Sequence, residues 1–314
     1  MFFHSFFDIC MMPCPDCNNS AHVIKAGLRN TKKGVIQRYF CKQCRCYFSD
    51  TSQPYTHYPL HVILFALEQY NRGYPIKEVK KRTGRTYRYS PPVPTIYSWL
   101  DKYKDTLTFI RTRKRYTIDP ETVISTQRFH HQQVYPFSYH TLKLNLISKQ
   151  LPQLRRYINW VERSLPTTIF LSGPRASAVQ MKNNRQPKKC RNIVPTLTTL
   201  ALTSCKKNAD AHDIVERFFL VHDATTICTE LPVFLNPDEV DFLNLDAPLT
   251  GHIDIVQVRY KKMYILDYKP NLRHPEQYMS QLMVYKKALH KRTSMPEKDI
   301  ISAVFNQHGY YEFR

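Results

Sequence analysis

Two segments near the C-terminus place a pair of carboxylates on opposite strands of one hairpin. Both segments have β-branched or aromatic residues at alternating positions, which is typical of β-strands; they are residues 251–256 and 265–270. A turn between Tyr260 and Lys261 connects them, and this turn brings Asp254 opposite Asp267. The same register gives three apolar pairs: Ile255 with Leu266, Val256 with Ile265, and Val258 with Met263. A slip by one residue would turn every side chain to the other face, so the pattern specifies this register strongly.

The opposed aspartates have the chemistry of a divalent-metal site. Opposed residues of a hairpin lie about 5 Å apart at Cβ, so both carboxylates can share one ion. Two buried carboxylates repel each other unless a cation lies between them, and Mg²⁺ or Mn²⁺ suits an all-oxygen site. Lys269 lies two residues beyond Asp267 on the same face, where its ammonium would offset charge on a phosphate. The alternative interpretation is a half-exposed hairpin with two solvated aspartates.

Further polar residues lie in a characteristic order around this hairpin. Over roughly residues 205–314 the order is His212, Gly251, Asp254, Asp267, Lys269, Gln281 and Tyr285. This order resembles the RecB-like branch of the PD-(D/E)XK nuclease superfamily, which has a histidine on an early helix, a glycine-x-x-aspartate strand, an aspartate-x-lysine strand and a helix with glutamine-x-x-x-tyrosine.

The resemblance implies a fold and a role for each of these residues. The implied ligands of the catalytic Mg²⁺ or Mn²⁺ are His212, Asp254 and Asp267. Lys269 would be catalytic, and Gln281 and Tyr285 would support the site or contact DNA. The implied fold is a restriction-endonuclease-like α/β core with a mixed central sheet.

Three residues near this set have more than one interpretation. Glu216 lies four residues after His212 on a predicted helix and shares its face, but an exposed helical glutamate needs no special role. Glu230 resembles a glutamate that this branch often carries before its metal strand, so it is a further candidate metal ligand. Tyr285 also belongs to an apolar stripe at helical spacing, which favours simple core packing. That stripe consists of Tyr278, Leu282, Tyr285 and Leu289.

Two Cys-x-x-Cys pairs near the N-terminus predict a structural zinc site. They are Cys14 with Cys17 and Cys41 with Cys44. Four thiolates satisfy a tetrahedral zinc ion and leave no open position for chemistry. A strand predicted over residues 34–40 enters the second pair, so the layout is that of a zinc ribbon, similar to the one at the start of certain insertion-sequence transposases. Cys46 is an alternative ligand to Cys44, disulfides are the alternative to zinc, and we expect Cys10 to be a bystander.

The later cysteines bear on a different cofactor. Nucleases of the RecB-like branch often hold an iron–sulfur cluster with cysteines on both sides of the nuclease core. This chain has Cys190, Cys205 and Cys228, but none after residue 228. We therefore expect no iron–sulfur cluster.

Three predicted helices after the ribbon look like a helix-turn-helix, with the third helix as the element that reads DNA. They cover residues 60–70, 76–84 and 93–103. The third helix has a start signal at Pro94 and Thr95, and its apolar face contains Ile96, Trp99, Leu100 and Tyr103. An insertion at residues 85–92 makes the turn before it longer than usual. The alternative is a small helical bundle.

The charge distribution indicates a polyanionic partner. The chain has 46 lysines and arginines against 25 aspartates and glutamates, a formal net charge of +21. Such a basic chain is typical of a protein that binds phosphates. Between Thr122 and Ala209 the single carboxylate is Glu162, whereas eleven carboxylates lie between Asp210 and Asp267. A basic middle therefore precedes an acidic metal site, and a membrane surface is the weaker alternative because no strongly amphipathic helix accompanies the charge.

These patterns predict an α/β chain of several domains. We expect a zinc ribbon, a helix-turn-helix domain, a basic connector or start of the nuclease domain, and a PD-(D/E)XK core, at residues 1–54, 55–112, 113–195 and 196–314. No apolar run has the length of a transmembrane helix, and the apolar N-terminus lacks the basic region of a signal peptide. The expected location is the cytoplasm of a prokaryote, or a virus.

The predicted function is that of a metal-dependent DNA nuclease, directed to its target by the N-terminal domains. The expected setting is mobile-element, viral, recombination or repair DNA processing, with protein partners in a recombination or transposition complex as a further expectation. Two other function classes stay open. One is a sequence-specific DNA-binding regulator with an inactive core, and the other is a transposase-like recombinase that uses the same metal site. The pattern does not distinguish exonuclease from endonuclease action, and it leaves the oligomeric state undetermined.

Overall fold

The computed structural model describes residues 13–14, 17, 20–31, 34–49, 58–131, 133–181, 186–204 and 210–313. The chain divides into two compact units, residues 1–60 and 61–314. Each unit has its own sheet, so the protein has a mixed α/β architecture with a three-stranded and an eight-stranded sheet. None of the helices in the described ranges combines the length and the apolar character needed to cross a membrane.

Three antiparallel strands form the sheet of the first unit. In order across the sheet they are β1 (Val23–Thr31), β2 (Gly34–Cys41) and β3 (Cys46–Ser49). β2 confirms the strand that was predicted to enter the second cysteine pair. Gly27 has a φ of +83° and lies where the register of β1 against β2 shifts, a conformation that glycine adopts readily. Val23, Tyr39, Cys41 and Phe48 on one face of this sheet form a buried cluster with Cys14.

Four helices open the second unit. They are α1 (Leu60–Asn71), α2 (Ile76–Tyr87), α3 (Val93–Tyr103) and α4 (Phe109–Arg113). The apolar face predicted for the third helix is confirmed, because its buried residues are Ile96, Trp99, Leu100 and Tyr103.

The insertion predicted between the second and third helices is wrong in its first part. α2 continues through residues 85–87 and ends at Arg88, whose left-handed backbone lets its N–H donate to Gly84 O. The Tyr87 ring packs against Phe65, with ring centroids 5.2 Å apart. This contact with α1 favours continuation of the helix beyond Gly84, which local propensity alone does not indicate.

The eight-stranded sheet forms the centre of the second unit. Its strands are β4 (Ile124–His131), β5 (Gln133–His140), β6 (Lys188–Lys189), β7 (Thr226–Leu235), β8 (Leu249–Arg259), β9 (Lys262–Tyr268), β10 (Ile300–Phe305) and β11 (Tyr310–Phe313). The order across the sheet is β4-β5-β7-β8-β9-β10-β11-β6. β9 and β10 are parallel and all other neighbours are antiparallel, so the sheet is mixed.

Five helices complete the second unit. They are α5 (Thr141–Ile147), α6 (Pro152–Ser164), α7 (Val194–Thr203), α8 (Ala211–His222) and α9 (Met279–Thr293). Residues of α6 and α9 share one apolar core with the central strands of the sheet. Tyr157 of α6 is buried in this core and its hydroxyl donates to Pro232 O of β7 at 2.8 Å. Residues 124–131 and 133–140, within the segment predicted as a connector or the start of the nuclease domain, form strands of this sheet.

A buried lysine joins α4 and α5 to the C-terminal end of α8. Lys143 is 2% exposed, and its Nζ donates to Leu220 O and Asp223 O, at 2.5 Å each. A cation at the last carbonyls of a helix is favourable. The Phe109 ring covers the ammonium at 4.7 Å. Burial lowers the Lys143 pKa to about 7, although Asp223 opposes this.

We expect Lys143 to make the stability of the fold depend on pH between about 7 and 10.5. The unfolded lysine titrates near 10.5 and the folded one near 7, so in this window the unfolded chain binds more protons. The free energy of unfolding therefore rises with pH there, by at most about 1.4 kcal/mol per pH unit. Urea unfolding of the wild type and Lys143→Met at several pH values measures this slope.

The exposed Lys149 on the same stretch of chain provides a matched control, Lys149→Met. Lys149→Met should keep the wild-type pH dependence of the free energy of unfolding. Lys143→Met should lose the part of this dependence that comes from Lys143. Parallel stability curves for all three proteins would contradict the role of Lys143.

Candidate metal centre

The β8–β9 hairpin has the predicted turn and register. Tyr260 and Lys261 both have positive φ, at 51° and 62°, which is typical of the two-residue turn that matches strand twist. Three cross-strand pairs predicted from the sequence are confirmed: Ile255 with Leu266, Val256 with Ile265, and Val258 with Met263. The paired ladder ends at Ile255 and Leu266, so Asp254 and Asp267 lie one position beyond it.

Both aspartates are buried. Asp254 is 9% exposed and Asp267 is 0% exposed. Beyond the end of the ladder, Asp254 Oδ2 accepts from the Tyr268 backbone N–H at 2.7 Å. The alternative of a half-exposed hairpin with two solvated aspartates is therefore wrong. The sequence did not exclude it because the burial comes from elements distant in the chain.

Glu230 extends this pair into a row of three carboxylate residues across neighbouring strands. In the β7–β8 ladder its flanking residues pair as Thr229 with Ile255 and Leu231 with Ile253. Glu230 therefore lies opposite Asp254, and Asp254 lies opposite Asp267. Glu230 has a φ of 51° within a strand, a left-handed conformation that costs a non-glycine residue about 1–2 kcal/mol. This strain lies at the point where acidic side chains converge.

α8 brings two further ligand atoms to Asp254. Asp210 caps the helix by accepting from the His212 backbone N–H at 2.8 Å. His212 and Glu216 are four residues apart, so they share one face. His212 Nδ1 lies 3.8 Å from Asp254 Oδ2. His212, Glu216 and Asp254 each offer a ligand atom within 4.8 Å of the others, an arrangement that can hold a metal ion.

Glu216 differs from its sequence interpretation as an exposed helical glutamate. The residue is 3% exposed, and its Oε1 atom is buried without a hydrogen-bond partner in the described part of the chain. A buried carboxylate oxygen of this kind is costly unless a cation or a proton satisfies it. In the sequence, the four-residue spacing from His212 was the available signal for a role of Glu216. Its burial depends on the packing of α8 against β7 and β8, which the sequence pattern does not show.

The carboxylates of this region perturb one another. Burial, and then the neighbouring Glu230 and Asp254, raises the pKa of Glu216 well above its usual range. Burial and then Asp267 does the same for Asp254. Burial is also the largest cause that raises the Glu230 pKa to about 7. With only protein charges present, these groups therefore hold protons at pH values where carboxylates are normally ionised, and a cation would reverse this.

His212 has the form that binds metals. Burial, and then the Lys269 charge, lowers its pKa, so the imidazole is neutral at pH 7 and has a lone pair to donate. A neutral imidazole nitrogen, buried carboxylate oxygens and the orphaned Glu216 Oε1 together fit a divalent cation.

Asp267 lies beside this trio and is held by two other side chains. Lys269 Nζ is 2.7 Å from Asp267 Oδ2, and Gln281 Nε2 donates to Asp267 Oδ1 at 3.3 Å. Burial alone would lower the pKa of Lys269, but Asp267 and Asp254 outweigh it and raise that pKa. The Lys269 ammonium is therefore fixed and charged at the edge of the candidate metal site.

Tyr285 combines the two roles that the sequence left open. It is 4% exposed within the apolar core, and its hydroxyl accepts from Gln281 Nε2 at 2.8 Å. The ring lies against Gly251, where an added Cβ would come within 2.4 Å of Tyr285 Cε1. Glycine at this position therefore makes room for the ring that supports Gln281, and Gln281 in turn supports Asp267.

The four predicted zinc ligands lie together in the first unit. The Sγ atoms of Cys14, Cys17, Cys41 and Cys44 are within 4.8 Å of one another and can hold a metal ion, consistent with zinc. The Cys44 backbone N–H lies 3.5 Å from Cys41 Sγ. Hydrogen bonding to Cys17, burial and the other thiols raise the Cys44 pKa, so zinc binding would release protons.

The other cysteines do not join this cluster of four. No disulfide joins the described cysteines. Cys46 Sγ lies 3.6 Å from Cys14 Sγ, which keeps Cys46 as an alternative ligand. Cys190 follows β6 and Cys228 lies in β7, whereas Cys10 and Cys205 lie outside the described residues.

Searches against protein-family models, curated proteins and solved structures find no match to this chain. The functional assignment therefore depends on the geometry of these side chains.

We expect the purified chain to carry one zinc ion that depends on the four clustered thiols. Replacement of Cys14 or Cys44 by serine removes a thiolate ligand, so zinc content measured by mass spectrometry should fall to near zero. Cys46→Ser and Cys228→Ser are the matched controls and should retain the ion. Loss of zinc in Cys46→Ser together with its retention in Cys44→Ser would reassign the fourth ligand.

Proposed function

We propose that this protein is a metal-dependent DNA nuclease that hydrolyses phosphodiester bonds. The observation that carries the proposal is the convergence of His212, Glu216 and Asp254 beside the fixed Asp267–Lys269 pair. A neutral imidazole, several buried carboxylates and one adjacent ammonium form the set expected for phosphoryl transfer assisted by a divalent ion.

Mg²⁺ or Mn²⁺ fits this donor set. Carboxylate oxygens suit these hard cations, and a single imidazole is compatible with Mn²⁺ in particular. His212, Glu216 and Asp254 would hold the ion, with Asp267 and Glu230 as further candidates from neighbouring strands. When bound, such an ion polarises a phosphate oxygen and lowers the pKa of a water molecule.

Lys269 has the position of a charge-stabilising group. Its ammonium lies 2.7 Å from Asp267 and 5.1 Å from the Tyr278 ring, so two neighbours restrict its conformations. A fixed cation at the edge of the site requires little reorganisation when negative charge develops on a phosphate. Gln281, supported by Tyr285, positions Asp267 from the opposite side.

The order of these residues supports assignment to the RecB-like branch of the PD-(D/E)XK superfamily, with a restriction-endonuclease-like core. The net charge of +21 supports DNA as the partner. We further propose that the first unit is a zinc ribbon and that α1–α3 act as a helix-turn-helix, so that they select the target. α2 and α3 are separated by residues 88–92, a shorter interval than the sequence indicated.

The direct test compares cleavage of labelled single- and double-stranded DNA by the wild type, Asp254→Asn and Lys269→Met. We expect the wild type to cut with Mg²⁺ or Mn²⁺, and each variant to lose about 100-fold or more in rate. Asp254→Asn removes a proposed metal ligand, and Lys269→Met removes the charge proposed to stabilise the reacting phosphate. The reaction without metal is prepared by omitting the divalent ion, since a strong chelator would also remove zinc.

Asp246→Asn is the matched control, because it removes an exposed carboxylate that lies outside α1–α3 and is not among the side chains assigned to the metal site. It should cut at the wild-type rate. Equal cutting by Asp254→Asn and the wild type would contradict the proposal. DNA binding without any metal-dependent cutting would favour the regulator, and strand joining would favour the recombinase.

Glu216 is the ligand that the sequence did not identify, and it gives a prediction that does not require activity. Glu216→Gln replaces a buried carboxylate with a neutral amide of similar size, so Mn²⁺ affinity measured by electron paramagnetic resonance should fall at least about tenfold. Asp213→Asn, an exposed acid on the same helix, should have little effect. An equal loss in both variants would indicate a general effect of negative charge.

A further inference from the structure

The three-stranded sheet of the first unit has a second face, opposite the one that packs around the cysteines. The inner face packs around the cysteines, while the opposite side chains point outward. Cross-strand pairing aligns Ile24 with Phe40 and Phe40 with Tyr47. We call this row, together with Arg38 on the same side of β2, the outer face.

The outer face is largely aromatic and partly exposed, with Arg38 and Phe40 half-buried. Ile24 is 42% exposed and Tyr47 is 45% exposed. The rings of Phe40 and Tyr47 lie with centroids 4.7 Å apart and planes inclined at 42°. Arg38 places its guanidinium carbon 4.5 Å from the centre of the Tyr47 ring. Exposed aromatic residues next to an arginine form a surface on which planar groups can stack.

The charge of this unit indicates which kind of ligand with planar groups would bind to the outer face. Between Ser20 and Ser49 there is no aspartate or glutamate. The basic residues in this interval are Lys25, Arg29, Lys32, Lys33, Arg38, Lys42 and Arg45. A polyanion is therefore attracted, and a polyanion that also presents planar rings is a nucleic acid.

We infer that the outer face binds single-stranded DNA by stacking bases on Phe40 and Tyr47, with Arg38 contributing charge. In a duplex the base faces are covered by neighbouring base pairs, whereas a single strand can present them to a protein ring. Neighbouring rings on adjacent strands can each take one unpaired base of a single strand. This binding site lies in the first unit and does not depend on the proposed nuclease site in the second.

The test measures binding of the full-length chain to fluorescent oligothymidylate of about 16 nucleotides, in the absence of added divalent metal. The comparison ligands are an abasic oligomer with the same number of phosphates and a duplex of the same length. Tyr47→Ala and Phe40→Ala should each weaken oligothymidylate binding about tenfold. Binding of the abasic oligomer and the duplex should stay unchanged, because their phosphate contacts remain.

Two further variants distinguish the loss of the aromatic ring from a loss of folding. Tyr47→Phe keeps the ring and should bind like the wild type, whereas Tyr47→Leu keeps apolar packing without a ring and should bind like Tyr47→Ala. Tyr260→Ala is the matched control, since it removes a 93% exposed tyrosine from the second unit, and its binding should be unchanged. Zinc content is measured for every variant, so a loss of fold in one is recognised and the others give the answer.

Equal weakening for oligothymidylate and the abasic oligomer, or no weakening in zinc-loaded Tyr47→Ala and Tyr47→Leu, would overturn the inference. Disruption of a dimer by Tyr47→Ala in sedimentation, with unchanged DNA binding, would also overturn it and assign the outer face to protein contact. Because no cleavage is measured, failure here leaves the proposed nuclease unaffected, and an inactive core leaves this binding unaffected.

Discussion

Repulsion between buried carboxylates is the constraint that organises the second unit. Glu230 lies between the paired residues of β7 that flank Asp254, and Asp254 and Asp267 lie one position beyond the end of the β8–β9 ladder. Glu216 approaches Asp254 from α8. Ionised carboxylates at this spacing and burial oppose folding unless protons or cations compensate them. Within the described residues Lys269 compensates Asp267. The pKa values of Glu216, Glu230 and Asp254 are raised, first by burial and then by neighbouring acids. A metal ion, which His212, Glu216 and Asp254 could hold, would compensate the remaining carboxylates.

The β8–β9 hairpin could be predicted from the sequence because the residues that determine its register lie within the hairpin itself. Alternation along both strands and a turn at Tyr260–Lys261 fix one register, and that register places Asp254 opposite Asp267 without any information from the rest of the chain. The buried face of α3 followed from helical spacing for the same reason. Four thiols at Cys-x-x-Cys spacing gave the first metal cluster directly.

The features that the sequence pattern did not predict depend on contacts between segments that are distant in the chain. Glu216 had the appearance of a surface residue on its own helix, and its burial arises where α8 meets the sheet. The position of Glu230 opposite Asp254 required the pairing of β7 with β8, and its left-handed backbone follows no local signal. Residues 85–87 were assigned to a turn, yet packing of Tyr87 on α1 extends the helix. In each case tertiary packing outweighs local preference.

The central claim is that a divalent ion binds between α8 and β8, and anomalous diffraction from crystals grown with Mn²⁺ tests it most directly. The account predicts a manganese peak about 2.0–2.2 Å from His212 Nδ1 or Nε2 and from carboxylate oxygens of Glu216 and Asp254. The Glu216 Oε1 atom, without a hydrogen-bond partner in the described structure, should then have the ion as its partner. A fully occupied crystal with no peak at this position, or with a peak that excludes all three side chains, would contradict the account.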